Sequence, residues 1–311
     1  MKAKNRNFLL LIPTCVIFYI LVKQVGLEKI MSEFYRADVM LLVCAFSLSL
    51  VQVGLSGQKL KLMIEMLGHK IGFSRCQKIV IATYAVNVVI PSKGGDFFKS
   101  WSIRDVVPLA KGVGIVLWER CLDVLLLCLM ALLGGLFISH TTVISLSLAA
   151  LAFLLLGSVL MLKLSERDWK GGCIKHVKGV SEVFRHFFIH KNYGMAVLVI
   201  GVLIWGLSAL QVFVLYKAVG QSVPLLFSVA VVPVVVFVGF VPITVAGMGT
   251  RDVAFVFFFS MYASDSSSIA VAMFFSLFRY WLLALLGVPF LKHLYGNKLP
   301  NGEKLGVKER G

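Results

Sequence analysis

The sequence is poor in charge and poorer still in acid. Only 15% of its 311 residues are Asp, Glu, Lys or Arg, against about a quarter in soluble domains. Fifteen acids face 31 bases. The six cysteines (Cys15, Cys44, Cys76, Cys121, Cys128, Cys173) contain no CxxC pair and lie mostly in apolar runs, so they read as small hydrophobes and not as metal or disulfide partners. HExxH, GxxxxGK[ST], DxD and GxSxG are all missing. These absences exclude zincin, P-loop and serine-elbow chemistry. No catalytic residue, metal ligand or cofactor is assigned.

What is abundant is apolar: 59% of the residues, with a mean hydropathy of +0.91. A bilayer crossing takes about 20 such residues. The apolar runs are Phe8 to Val25, Val39 to Leu55, Val113 to Phe137, Val143 to Leu162, Tyr193 to Tyr216 and Ile269 to Leu291. No small-residue cleavage site follows the first run, so it reads as a retained anchor. The formal charge of +16 suggests nucleic acid in a soluble protein. Here most bases cluster before Phe8, across 59–111, across 163–191 and after Leu291, whereas the alternate links hold only Lys23, Lys29, Arg36 and Lys217. That is the positive-inside rule, and no nucleic-acid partner is expected. It predicts a multi-pass protein of the inner membrane with both termini in the cytoplasm. Residues 1–293 form one membrane domain and 294–311 a cytoplasmic tail. The basic 163–191 segment, with His186 and His190 at helical spacing, reads as an amphipathic cytoplasmic stretch.

Two stretches break the apolar pattern. In the first, NVVIPSKGGDFFKSW, Asn87 and Pro91 lead into Lys93, Gly94, Gly95, Asp96 and Lys99. In the second, FVPITVAGMGTRD, Pro242 and Thr244 lead into Gly247, Gly249, Arg251 and Asp252. Irregular backbone is not tolerated against lipid and must be sheltered by protein or line a cavity. Ile79 to Ile90 reaches only ~18 Å as helix and has bases on both sides, so Ile79 to Trp101 is predicted to re-enter from the cytoplasm. Leu225 to Val241 and Val253 to Tyr262 are followed by ASDSSS, which has no base, so the second break dips in from outside. The predicted fold is all-α, with about six transmembrane helices and two opposed re-entrant or broken segments. An inverted repeat produces this pattern and places substrate at the midplane.

The chemistry on offer is cationic. Lys93, Lys99, Arg104, Arg120, Arg251 and Arg279 lie in or beside apolar sequence. Arg pairs phosphate oxygens bidentately and Lys acts as a point charge. Glycines let backbone N–H groups approach an anion. Asp96, Glu119, Asp123 and Asp252 are available to neutralise these cations. Glu119 and Asp123 are i,i+4 neighbours; they face a polar interior or snorkel at a helix end. The set suits an amphiphile with an anionic head, a phospholipid or a polyprenyl phosphate. Alternatively, the charges only brace the broken helices.

At these residues the chain resembles the lysylphosphatidylglycerol synthase transmembrane-region family, whose members are also called flippase-like. Asn87, Pro91, Lys93, Gly95–Asp96, Lys99 and the Glu119–Arg120…Asp123 element match its first half. Pro242, Thr244, Gly247–Met248–Gly249 and Arg251–Asp252 match its second. The resemblance spans about residues 8 to 293. The family commonly has Arg at Lys93 and Lys99, and Glu at Asp96 and Asp252, so reach and bidentate geometry differ here. The soluble synthase domain of the larger members is not expected, and with it no lysine transfer. The resemblance implies lipid translocation. Two rivals stand beside it: a non-catalytic membrane partner of a lipid- or glycan-synthesis enzyme, and an intramembrane transferase using the same carboxylates.

Overall fold

A computed structural model describes residues 26–89, 94–139, 141–166, 173–239 and 249–296, together with Tyr19 and Lys23. The apolar run at 8–25 otherwise lies outside the described residues, as does the tail beyond 296. Among the described residues all regular structure is helical. The helices are α1 (Leu27–Arg36), α2 (Val39–Met66), α3 (Phe73–Val89), a 3-10 turn (Gly94–Asp96), α4 (Phe97–Ser102), α5 (Leu109–Phe137) and α6 (Thr141–Glu166). They continue with α7 (Cys173–Ile189), α8 (Lys191–Ala218), α9 (Leu225–Val238), α10 (Thr250–Phe259), α11 (Asp265–Ser276), a π turn (Leu277–Trp281) and α12 (Leu282–Gly296). Four stretches of the described residues are long and apolar enough to cross a membrane: Val39–Met66, Leu109–Phe137, Lys191–Ala218 and Asp265–Leu291.

Charge proved a poor ruler for helix ends. The helix starting at Val39 does not stop at Leu55 but runs to Met66. Asp38 starts it by accepting from the N–H groups of Met40 and Leu41 at 2.8 and 3.1 Å, a side-chain N-cap. Its last turns bury Leu60, Met63 and Ile64, and that apolar contact carries the helix past Lys59. Likewise α3 begins at Phe73, not Ile79. The serines of ASDSSS cap and open α11: Ser264 accepts from the N–H of Ser267.

The long helices α2 and α8 pack together at the centre. They run antiparallel, since the N–H of Asp38 donates to the carbonyl of Ala218 while Ser208 near the middle of α8 meets Gln52. Their crossing is polar. Gln211 Nε2 donates to Ser49 Oγ at 2.7 Å and Ser208 Oγ donates to Gln52 Oε1 at 3.2 Å, with the two glutamines 3.4 Å apart. All four side chains are buried. Each helix therefore offers the same Ser-x-x-Gln, and 208 less 49 equals 211 less 52, an offset of 159. Such reciprocal contact is how two-fold-related surfaces meet.

The flanking helices also match across this crossing. α3 packs on α12, and α9 packs on α5. Both contacts close on a glycine. A Cβ at Gly134 would lie 2.4 Å from the Cα of Ala230, and one at Gly287 would lie 2.4 Å from the carbonyl oxygen of Ile81. Small residues of this kind let membrane helices pack backbone to backbone. Outside this frame, α7 lies against α5. Trp118 packs on Phe184 and Phe187, and Lys111 pairs with Glu182 at 2.6 Å. The basic segment is thus partly a packing element. Two apolar cores result, one around α3, α4 and the start of α5, the other around α9, α10 and α11.

The crossing yields a direct test. In a double-mutant cycle with Gln52→Leu and Gln211→Leu, thermal unfolding in detergent should give a coupling of about 0.6 kcal/mol and at most about 1.7, the mean and maximum for interhelical hydrogen bonds in membranes. Additive losses would remove the crossing as a joint unit.

Candidate binding site

The first break builds one wall of a cavity. After α3 the chain returns on itself, because Gly95 lies against the end of that helix. A Cβ there would meet Asn87 Oδ1 at 2.5 Å and the Asn87 backbone nitrogen at 2.8 Å, so only glycine fits. The other end of the hairpin is tied as well: Arg75 donates to the carbonyl of Ser102 and pairs with Asp105 at 2.7 Å. This fold-back carries Asp96 and Lys99 inward, both buried. Asn87 Nδ2 donates to Asp96 Oδ1 at 3.0 Å.

Helix α5 supplies the partners. Its Glu119, Arg120 and Asp123 face the same space. Lys99 Nζ sits 2.8 Å from Glu119 Oε2, each side chain 5% exposed. Arg120 reaches Asp96 Oδ2 at 2.9 Å and Asp123 Oδ2 at 3.4 Å. Asp123 also holds Lys59 of α2 at 2.7 Å. A continuous series of polar contacts therefore runs Lys59, Asp123, Arg120, Asp96, Asn87. It ties α2, α5, the 3-10 turn and α3 into one frame. Arg120 keeps 31% of its side chain open. Its Nε, and Oδ1 of Asn87, have no hydrogen-bond partner among the described residues.

These groups line a cavity of about 100 Å³. Ser56, Thr83, Tyr84, Trp205, Arg279 and Tyr280 complete its polar and aromatic wall, and Val80 and Val236 come from the two apolar cores. Three carboxylates (Asp96, Glu119, Asp123) face four cations (Lys59, Lys99, Arg120, Arg279). The carboxylates are taken by lysine and arginine, which leaves them poorly placed to hold a metal ion; among the described residues no group of three His, Cys, Asp or Glu is arranged for one.

The described ends of the second break also lie together. Arg251 abuts Gly239 at the end of α9. Gly249 takes φ +94° at the entry to α10, a conformation that favours glycine. Its N–H donates to Asp252 Oδ2 at 3.0 Å, the carboxylate half of a capping box. Arg251 is only 1% exposed. It hydrogen-bonds Ser276 Oγ, lies 3.7 Å from Asp252, and stacks over Phe275 and Tyr280. It supports the cavity from behind Tyr280 without lining it.

Of the residues singled out from sequence, Asn87, Asp96, Lys99, Glu119, Arg120, Asp123 and Arg279 come together. Gly94 and Gly95 form the turn. Gly249, Arg251 and Asp252 form the second fold-back. Arg104 is exposed and stacks on Trp101 at 4.4 Å, away from the cavity. Pro91, Lys93, Pro242, Thr244 and Gly247 lie outside the described residues. The positive-inside pattern places Lys59 on the cytoplasmic flank, yet it is 1% exposed and central. The signal for it was phase: Ser49, Gln52, Ser56 and Lys59 share one face of α2.

The Lys99–Glu119 pair is testable by its asymmetry. Lys99→Met alone strands a buried carboxylate and should cost about 3–5 kcal/mol, whereas Lys99→Met with Glu119→Leu should recover most of it. Thermal or denaturant unfolding of the purified variants reads both values.

The chain matches the lysylphosphatidylglycerol synthase TM region over residues 8–287. It is similar to a UPF0104 membrane protein of Methanocaldococcus jannaschii, 23% identical over 319 aligned positions that cover 92% of this chain and 95% of that one. With the helices long enough to cross a bilayer, these matches make it a multi-pass membrane protein, and the chain belongs to the lysylphosphatidylglycerol synthase TM region family.

Proposed function

We propose that the protein moves an anionic amphipathic lipid between the leaflets of the cell inner membrane, with both termini in the cytoplasm. The observation that carries this reading is the charged cavity enclosed by otherwise apolar helices. Charges inside a membrane are costly and mark substrate pathways by default. Here the described cations outnumber the carboxylates, and Arg120 retains an unused donor. A headgroup passing through such a groove keeps its charge matched while its tails remain in the bilayer.

In this reading the two fold-backs are opposed re-entrant segments among about six crossings. The reciprocal Ser-x-x-Gln crossing, and the matched packing of α3 on α12 and α9 on α5, support an inverted repeat. Arg120 and Arg279 support it too, since 279 less 120 is again 159. Inverted repeats work by alternating access, one half rocking against the other around a fixed site. The first fold-back borders the cavity, whereas Arg251, beside the described end of the second, is buried and does not line it. That difference fits one of two alternating states.

The test is lipid scrambling in phosphatidylcholine vesicles. One arm carries labelled phosphatidylglycerol and another a labelled polyprenyl phosphate. The intact chain should expose inner-leaflet label to an impermeant quencher. Arg120→Gln should slow this about 10-fold or more, the scale of one lost charge-assisted hydrogen bond, with rates taken per folded protein because the change also strands Asp96. Vesicles with the intact chain that behave like empty ones would refute transport and favour a non-transporting partner of a lipid- or glycan-synthesis enzyme.

A further inference from the structure

Each carboxylate in the cavity is held by at least one cation, and Arg120 is shared between Asp96 and Asp123. Asp123 holds Lys59, Glu119 holds Lys99 and Asp96 holds Arg120. Arg279 is the lining cation left over. Its neighbours are aromatic faces, with Trp205 at 5.6 Å and Phe275 at 5.9 Å, and it makes no ion pair with any described residue. The segments 90–93 and 240–248 contain no Asp or Glu, and Lys93 is their one charged residue. Cation–π contact returns about 0.5–2 kcal/mol, less than full removal of a charge from water costs, and Arg279 is half-buried, so part of that cost falls on it. An anion bound there would make up the difference.

The backbone at this point is unusual. Arg279 and Tyr280 lie in the π turn Leu277–Trp281 inside an otherwise α-helical span, and both line the cavity. Such widened turns recur at functional sites.

We propose that Arg279 is the anion receptor of the cavity and that its ligand is a phosphodiester, the singly charged link of a glycerophospholipid head. One unmatched positive charge among the described lining groups suits one negative charge. A phosphomonoester carries about −1.5 to −2 at neutral pH, more than the unmatched charge of the described lining groups. The guanidinium fork fits two phosphate oxygens at once. This inference rests on the lipid reading above and sharpens its substrate class.

The experiment uses the full chain in detergent, titrated with dihexanoyl phosphatidylglycerol while tryptophan emission is followed. Arg279 stacks on Trp205, so capture of its guanidinium should alter that emission, and Trp205→Phe should remove the signal. Arg279→Gln should weaken binding about 10-fold or more, as expected for a lost hydrogen bond to a charged group. Arg279→Lys, which keeps charge but loses the fork, should fall between. Arg185→Gln, at an exposed arginine of α7, should bind as the intact chain does. Unchanged binding by Arg279→Gln overturns the proposal. Should that variant fail to fold, unchanged binding by a folded Arg279→Lys overturns it instead. Tighter binding of dihexanoyl phosphatidic acid than of phosphatidylglycerol overturns the charge match, and equal binding of inorganic phosphate overturns the lipid source. Binding without scrambling in vesicles would remove transport alone; scrambling that ignores Arg279 would remove this assignment alone.

Discussion

Charge buried among apolar helices must be matched, and here the matching holds the architecture. The contacts from Lys59 through Asp123, Arg120 and Asp96 to Asn87 join α2, α5, the 3-10 turn and α3. None of these elements could shift alone without leaving a desolvated charge behind. Buried ion pairs of this kind add little net stability over apolar packing, but breaking one is expensive. Their effect is to make the elements move together or not at all.

The two breaks show how one pattern serves two ends. At Gly95 the backbone folds onto Asn87 and delivers charged groups to an open space. At Gly249 it folds so that Asp252 caps α10 and Arg251 disappears under Phe275 and Tyr280. The chemistry of the loops is similar, a small residue beside an acid and a base. What differs is whether the neighbouring helix offers carboxylates. Helix α5 offers Glu119 and Asp123, whereas the equivalent span from Asp265 offers none after its first residue.

Much of this was legible before any coordinates. Polar residues abutting apolar runs marked Asn87, Gly95 and Asp96, and intramembrane charge marked Glu119, Arg120, Asp123 and Arg279. All-helical, membrane-spanning character followed from composition. Two things were not legible. Helix ends escaped, because a lysine such as Lys59 or Lys78 sits as easily within a helix as beyond it, and its long stem lets the charge go where partners are. Pairing escaped too, because Lys99 and Glu119, or Lys59 and Asp123, are brought together by packing and not by spacing. Counting Lys59 as a flanking charge ignored its phase with Ser49, Gln52 and Ser56. Arg104 failed in the opposite way: it is near the loop in sequence, but α4 turns it outward onto Trp101.

The Ser-x-x-Gln crossing has a further consequence. A contact in which each helix presents the same two side chains to the other needs only half a chain to encode it. Two copies of a half-length polypeptide, inserted into a membrane in opposite senses, would meet through those same four groups. Fusing the two copies would then free each to diverge, one gaining Glu119 and Asp123 beside its arginine and the other retaining Arg279 without them.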